Sequence, residues 1–429
     1  MHKFTALTSF LAFTIAACGG PAGQQAPDLD GLAREYLHLE LSMGRHDQAH
    51  VDAYFGPPEL SAAAEADQLS LDQIGSYAST LSDTLTVIRD AATGPDVARI
   101  DGLLARLTAL RTRVLLKKGR SLPFDEESLE LFGVRAPDHE ATHFEVILAD
   151  IDALLPGDGP LSDRVNEFQN RFVIRPERLS AVFDEAIAEC RRRTLRHIEL
   201  PDNESFRLEY VTDKPWSGYN WYQGDAQSLI QINTDLPIFI SRAVDLGCHE
   251  GYPGHHTYNA LLERNLVNGK GWLEFSLYPL FSPQSLIAEG SGNYGIDLAF
   301  PADERVEYEK NVLFPLAGLD SSEADRYYQL QELISRLGYA GNEAARDYLD
   351  GRIDREEAAQ WLVEYSLFSP ERAFQRVAFI ETYRSYVINY NLGKDMVRSY
   401  VERDAATPDE RWARFAWMLS NPVLPTELE

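Results

Sequence analysis

Positive charge is what this sequence lacks most. It has 40 lysines and arginines against 67 aspartates and glutamates, a net charge of −27. So acidic a chain is a poor partner for a phosphate backbone, which argues against nucleic acid as a ligand. The surplus reads as a solvated acidic surface and specifies no fold. Long apolar runs are missing too: the stretch 4–17 is too short to span a bilayer. Cysteine is nearly absent. Beyond Cys18 only Cys190 and Cys248 remain. They could pair, but so far apart they read as two buried, small apolar residues without a catalytic role. No internal repeat and no phosphate-cradling glycine loop is visible. The remaining composition, 44% apolar and 25% charged, is that of a folded globular protein, and 429 residues suffice for one large or two ordinary domains.

The first residues read as a processing segment. His2 and Lys3 precede the apolar stretch, and Ala16-Ala17 precede Cys18. The tetrad Ile15-Ala16-Ala17-Cys18 resembles a bacterial lipobox. It implies a signal peptide over 1–17, cleavage before Cys18 and lipidation there, with the acyl chains holding the protein on a membrane. Gly19 stands where an aspartate would retain a lipoprotein at the inner membrane. This points to the outer membrane, facing the periplasm, and the alternative is simple secretion. Residues 18–30 form a small-residue tether. The rest, 31–429, is expected to be a single unit: helical over 31–200, then a metal-site part over 201–429.

Helical periodicity is clear in Leu32, Tyr36, Leu39 and Met43, in Ile100, Leu103, Leu107, Leu110 and Val114, and in Tyr327, Leu330, Ile334 and Leu337. The run Arg191-Arg192-Arg193 reads as a solvated helix face. The texture changes after Pro201. Phe206–Thr212 and Ser228–Asn233 read as strands, with an aromatic loop of Trp216, Tyr219, Trp221 and Tyr222 between them. Ser228–Asn233 is either an exposed edge that pairs with an extended substrate through residues such as Asn233, or an ordinary buried strand. Thr234-Asp235 offers an N-cap for a helix running into the next motif.

That motif is His249-Glu250-Gly251-Tyr252-Pro253-Gly254-His255-His256. Imidazoles beside a carboxylate suit a catalytic zinc site, where two His and a third ligand hold the metal and a Glu serves as base. The spacing departs from His-Glu-x-x-His. Six residues on a straight helix turn about 600° and rise about 9 Å, so neither His255 nor His256 can share a metal with His249 on an unbroken helix. Pro253-Gly254 supplies the break, and we expect a two-residue bulge in a zinc-binding helix.

The octad is similar to the His-Glu-x-x-Pro-Gly-His-His signature of a bacterial family catalogued as domain of unknown function 885, which is grouped with the gluzincin zinc metallopeptidases. The resemblance implies a third ligand on a later helix. Ala288-Glu289-Gly290-Ser291-Gly292-Asn293-Tyr294 is similar to the family's Glu-Gly-x-x-x-Tyr segment, although Ser291-Gly292 departs from its bulkier residues. The likeness begins near Asp52-Ala53-Tyr54-Phe55-Gly56-Pro57-Pro58 and includes a late segment around Tyr386–Gly393.

The expectation is therefore a mainly α fold, gluzincin-like, with a small sheet beside the metal helix and a deep cleft. One zinc per chain would be held by His249, His255 and Glu289, with His256 as a neighbouring or alternative ligand. Glu250 is the expected general base of a peptidase. Tyr390 is a candidate oxyanion donor and Arg384 a candidate clamp for a substrate carboxylate. The competing reading of these two is a core aromatic and an ion-paired helix arginine. Two other functions are compatible with the same residues: a metal- or ligand-binding lipoprotein without catalysis, and a metallohydrolase acting on an ester or non-peptide amide.

Overall fold

The computed structural model describes residues 28–429 apart from Ala302. The leader and Cys18 therefore lie outside the described residues. The fold is mainly α, with five short strands. Among the described residues no helix is long and apolar enough to cross a membrane.

The first helix, Leu29–Gly44, starts inside the stretch expected to be tether, because Asp28 caps it by accepting from Gly31 N at 2.9 Å. Its buried Tyr36, Leu37 and Met43 meet Ile74 and Leu85 of Leu71–Arg89, and Ile100 and Leu107 of Pro95–Lys117. This is one apolar core. A much larger one runs through the rest of the molecule.

The helix Pro95–Lys117 is not solvated on its other face. Arg99, Arg106 and Arg113, seven residues apart, are all buried there. Arg99 binds both carboxylate oxygens of Glu274 at 2.7 and 3.0 Å, Arg106 donates to Gln284 Oε1 at 2.9 Å, and Arg113 donates to Asp47 at 2.7 Å. Their guanidinium planes lie over Trp272, Phe275 and Phe281. Arginine can do this because its long stem packs as an apolar group while its planar head keeps its charge paired.

The helical expectation for 31–200 is corrected at β1, Val51–Tyr54. It pairs antiparallel with β5, Leu277–Pro279, placing Asp52 beside the later metal-site segment. Three further strands form one sheet: β2 (Ser205–Val211), β3 (Gly218–Gly224) and β4 (Gln227–Asn233). Their order is β2-β4-β3, with β4 parallel to β2 and antiparallel to β3. Two expectations change here. The aromatic loop is mostly strand β3, and β4 is the central strand, so Ser228–Asn233 has no free edge. The free edge on the β3 side belongs to Gly218–Gly224.

The N-cap expected at Thr234-Asp235 is absent. Asp235 instead accepts from the backbone N–H groups of Asp213 and Lys214, and the chain then pairs Ile240 N with Phe172 O at 2.9 Å. The helix starts only at Ser241.

Cys190 and Cys248 form a disulfide, which corrects their reading as separate apolar residues. Helix Leu179–Thr194 packs against the metal-motif segment and brings the two Cα atoms within 5.5 Å, a proximity invisible across 58 residues of sequence. A loop of that length makes the bond worth about 2–4 kcal/mol through the entropy it removes from the unfolded chain. Replacing both cysteines by serine should lower the unfolding free energy by that amount in a urea titration. An unchanged midpoint would show that the bond contributes nothing.

Candidate metal centre

Gly247–Gly251 follows the helix Ser241–Leu246 as one wide π-helical turn, and there the helix ends. Tyr252 is extended, the Tyr252–Pro253 peptide is cis, and a second helix, His255–Leu262, begins after Gly254. The expected bulge is thus a complete interruption between two helices. Gly254 permits it: a Cβ there would lie 1.8 Å from His249 O, and its own N–H donates to Cys248 O at 3.0 Å. The fold-back turns the two imidazoles toward each other, perpendicular, with ring centroids 4.6 Å apart.

Glu289 arrives on the helix Pro283–Ala299. His249, His255 and Glu289 are all buried, and their ligand atoms lie within 4.8 Å of one another. Nε2 of His249 is 3.2 Å from Glu289 Oε2, and Nε2 of His255 is 3.7 Å from Oε1. Gly292, the departure noted in the sequence, has a steric reason. A Cβ there would sit 2.9 Å from the His249 ring.

The tautomer of His249 follows from its neighbour. Asn293 Nδ2 donates to Tyr390 O at 2.9 Å, so its Oδ1 faces His249 Nδ1 at 3.0 Å and accepts that N–H. In the neutral ring, Nε2 then turns its lone pair toward a carboxylate. Glu289 Oε2 is buried and lacks a hydrogen-bond partner among the described residues. Lone pairs facing a buried carboxylate repel unless a cation sits between them, and two imidazoles with one carboxylate form a donor set suited to zinc. The residues present therefore fit a divalent metal. Tyr386 Oη donates to Glu289 Oε1 at 2.7 Å and fixes that carboxylate.

Burial raises Glu289, but positive charge on the His249 and His255 side outweighs it and holds the carboxyl well below its usual range, as a cation between the three residues would. Glu250 differs. Burial pushes it up to about 7, Glu289 and Asp52 adding to the rise and His255 opposing it. Asp52, on β1, is likewise pushed by burial to about 7 against the pull of His255. Both carboxyls line the same cleft as the three ligand residues.

His256 is not a ligand. Its ring is fully buried outside the cleft, with Nδ1 2.8 Å from Ser228 Oγ and Nε2 3.1 Å from Glu204 Oε2. Arg191 binds the other Glu204 oxygen at 2.6 Å, so at Arg191 the basic run anchors a buried carboxylate instead of facing solvent alone. Arg384 is no clamp either: it donates to buried Glu127 at 2.7 Å and lies outside the cleft lining. Asn233 lines the cleft, but its amide is spent on Lys214 O and Trp216 O, both at 2.9 Å. Tyr390 does line the cleft, its hydroxyl raised well above the usual range by burial and by Glu289.

Four supporting residues escaped sequence reasoning. Asn293 and Tyr386 sat inside segments read for other residues, Asp52 opened a motif given no role, and Glu204 carried no local signal at all.

No family model matches this chain, and no curated protein does. Solved structures do resemble it. A candidate lipoprotein from Colwellia psychrerythraea is 16% identical with a TM-score of 0.50, over 93% of this chain and 74% of that one. A structure described as BsuCP is 12% identical with a TM-score of 0.45, over 91% and 89%. At such identities the likeness to the Colwellia protein is one of fold alone.

The two adjacent histidines give a direct test. His255→Ala and Glu289→Ala should each lose zinc by elemental analysis after zinc is offered. His256→Ala should keep zinc and lose stability, by about 1–3 kcal/mol, because it strands Glu204 and Ser228. Metal lost in His256→Ala but kept in His255→Ala would reverse the assignment.

Proposed function

We propose that this chain is a metal-dependent hydrolase that cleaves peptide bonds, with Glu250 as general base. The observation that carries the reading is the position of Glu250, directly after His249 and unpaired in the cleft. Glu289 faces both imidazoles, while Glu250, buried on the same cleft wall, makes no ion pair among the described residues and is pushed up to about 7. A base poised near neutrality can take a proton and return it.

His249, His255 and Glu289 would hold the ion. When bound, zinc supplies Lewis acidity, polarising a carbonyl oxygen and making water more acidic. Asn293 keeps the proton of His249 on Nδ1, and Tyr386 keeps Glu289 oriented. Glu250 accepts a proton from the attacking water and passes it to the leaving amine. Tyr390 is the proposed donor to the oxyanion that develops on the substrate carbonyl. Its hydroxyl makes no hydrogen bond within the described residues, and it stands close enough to Glu250 and Glu289 for both charges to raise its pKa.

The cleft favours an extended substrate. Its volume, about 2170 Å³, exceeds the roughly 300–1,000 Å³ of ordinary small-molecule sites. The first residues of β3, Gly218 to Asn220, line it, and Asn220 Nδ2 donates to Glu250 O at 2.7 Å. Substrate pairing, expected at β4, is therefore proposed for the free edge of β3. The lipobox-like tetrad supports a lipid anchor on Cys18 in the cell envelope, and a candidate lipoprotein of the same fold accords with it. The resemblance to the domain of unknown function 885 family and to gluzincins supports the same reaction class.

The test pairs wild type with Glu250→Gln. Both should bind about one zinc per chain, and the variant should lose peptide hydrolysis by roughly 10²–10⁴-fold. Zinc in both with no cleavage of a mixed peptide library by either would favour the non-catalytic or the non-peptide reading.

A further inference from the structure

Two arginines in the cleft wall have no counter-charge among the described residues. Arg372 and Arg376 lie one turn apart on the helix Pro370–Tyr383 and line the same cleft as His249, Glu250, His255 and Glu289. The other basic residues lining it, Arg242, Arg305, Arg336, Lys394 and Arg398, each have a carboxylate oxygen within 3.8 Å. Among the described residues Arg372 and Arg376 have none within ion-pair distance. They touch only ring faces: Arg372 is 4.9 Å from the Phe368 centroid, and Arg376 is 4.8 Å from Phe379 and 5.7 Å from Tyr390.

Arginines elsewhere, such as Arg106, also lack a carboxylate, but Arg106 has Gln284 as an acceptor, whereas these two face the open cleft. Their surroundings sharpen the difference. Arg372 reaches solvent at the cleft mouth and Arg376 is half-buried, and like charge from Arg242 and Arg376 falls on Arg372. Burial lowers Arg376, while Tyr390 and Glu289 oppose it, so its head group lies toward the metal-ligand end of the cleft. Tyr390 in turn holds Asn293, which orients His249. A recess carrying uncompensated guanidinium charge gains most from an anion brought by a ligand, and a planar guanidinium takes a carboxylate bidentately.

We propose that Arg372 and Arg376 bind a carboxylate of the peptide substrate, on the Tyr390 side of the His249–His255–Glu289 cluster. This rests on the reading of the cleft as a peptide site, and it gives these two residues the role the sequence suggested for Arg384. The carboxylate has two possible sources, the free C-terminus of the peptide or an acidic side chain near the cleaved bond.

The test uses the full zinc-loaded chain as Glu250→Gln, so that binding is read without turnover. Calorimetric titration compares two pairs of N-acetylated peptides. One pair ends in a free acid or an amide, and the other, amidated throughout, carries an internal glutamate or glutamine. In at least one pair the charged member should bind roughly tenfold tighter. Adding Arg372→Gln and Arg376→Gln together should shrink that preference to about twofold or less, with zinc content and unfolding midpoint unchanged, and Arg376→Lys should retain part of it. Preference for the acid over the amide assigns the C-terminus, and preference for glutamate over glutamine assigns the side chain. Equal binding of all four peptides, no binding, or a preference that survives both substitutions overturns the proposal. A charge preference removed by the substitutions, in a protein whose wild type cleaves none of these peptides, would sink the hydrolase reading and leave the carboxylate site standing.

Discussion

Two imidazoles and one carboxylate brought to a common point, out of water, depend on what surrounds them and on a cation that the three can share. Much of the local structure reads as support for that arrangement. Asn293 and Tyr386 fix the proton and the carboxylate, the disulfide anchors residue 248 next to His249, and Gly254 and Gly292 remove the atoms that would block the approach. Groups that merely fill space tolerate small shifts. Groups that must converge on one ion do not, which is why His249 and Glu289 each have a neighbour that fixes them, Asn293 and Tyr386.

His255 and His256 show how one helix start serves two environments. Adjacent residues on a helix point about 100° apart, so one ring faces the cleft and the next enters the core. The core ring is satisfied at both nitrogens, by Ser228 and Glu204, while His255 Nδ1 has no partner among the described residues. The asymmetry identifies the functional member of the pair better than their order in the chain does.

Much of the candidate site was legible because its ligands lie in two short segments with distinctive chemistry. Helix periodicity also placed the stripes of Tyr36–Met43 and Ile100–Val114 in a core. What escaped the sequence was long-range. The bond between Cys190 and Cys248, the pairing of β1 with β5, and the central place of β4 all depend on contacts made only in three dimensions. Arg384 and Asn233 misled for a related reason. Their chemistry suited a substrate, but Glu127 and the carbonyls of Lys214 and Trp216 had already claimed it. Side-chain type shows what a residue can bind, and packing decides whether it is still free to do so.

The arginine ladder on Pro95–Lys117 bears on how this protein can be divided. Arg99 neutralises Glu274 and Arg106 holds Gln284, and Gln284 belongs to the very helix that presents Glu289. Separating the first ninety residues or so of the folded chain from the rest would therefore leave a carboxylate buried beside Trp272 with nothing to offset it. The N-terminal helices are no detachable accessory to the segment that carries the candidate metal centre. A graft that moved the histidine motif and the Glu289 helix into another scaffold would have to carry this distant scaffolding along, and a minimal fragment of the protein cannot be cut at the boundary that the change in texture after Pro201 suggests.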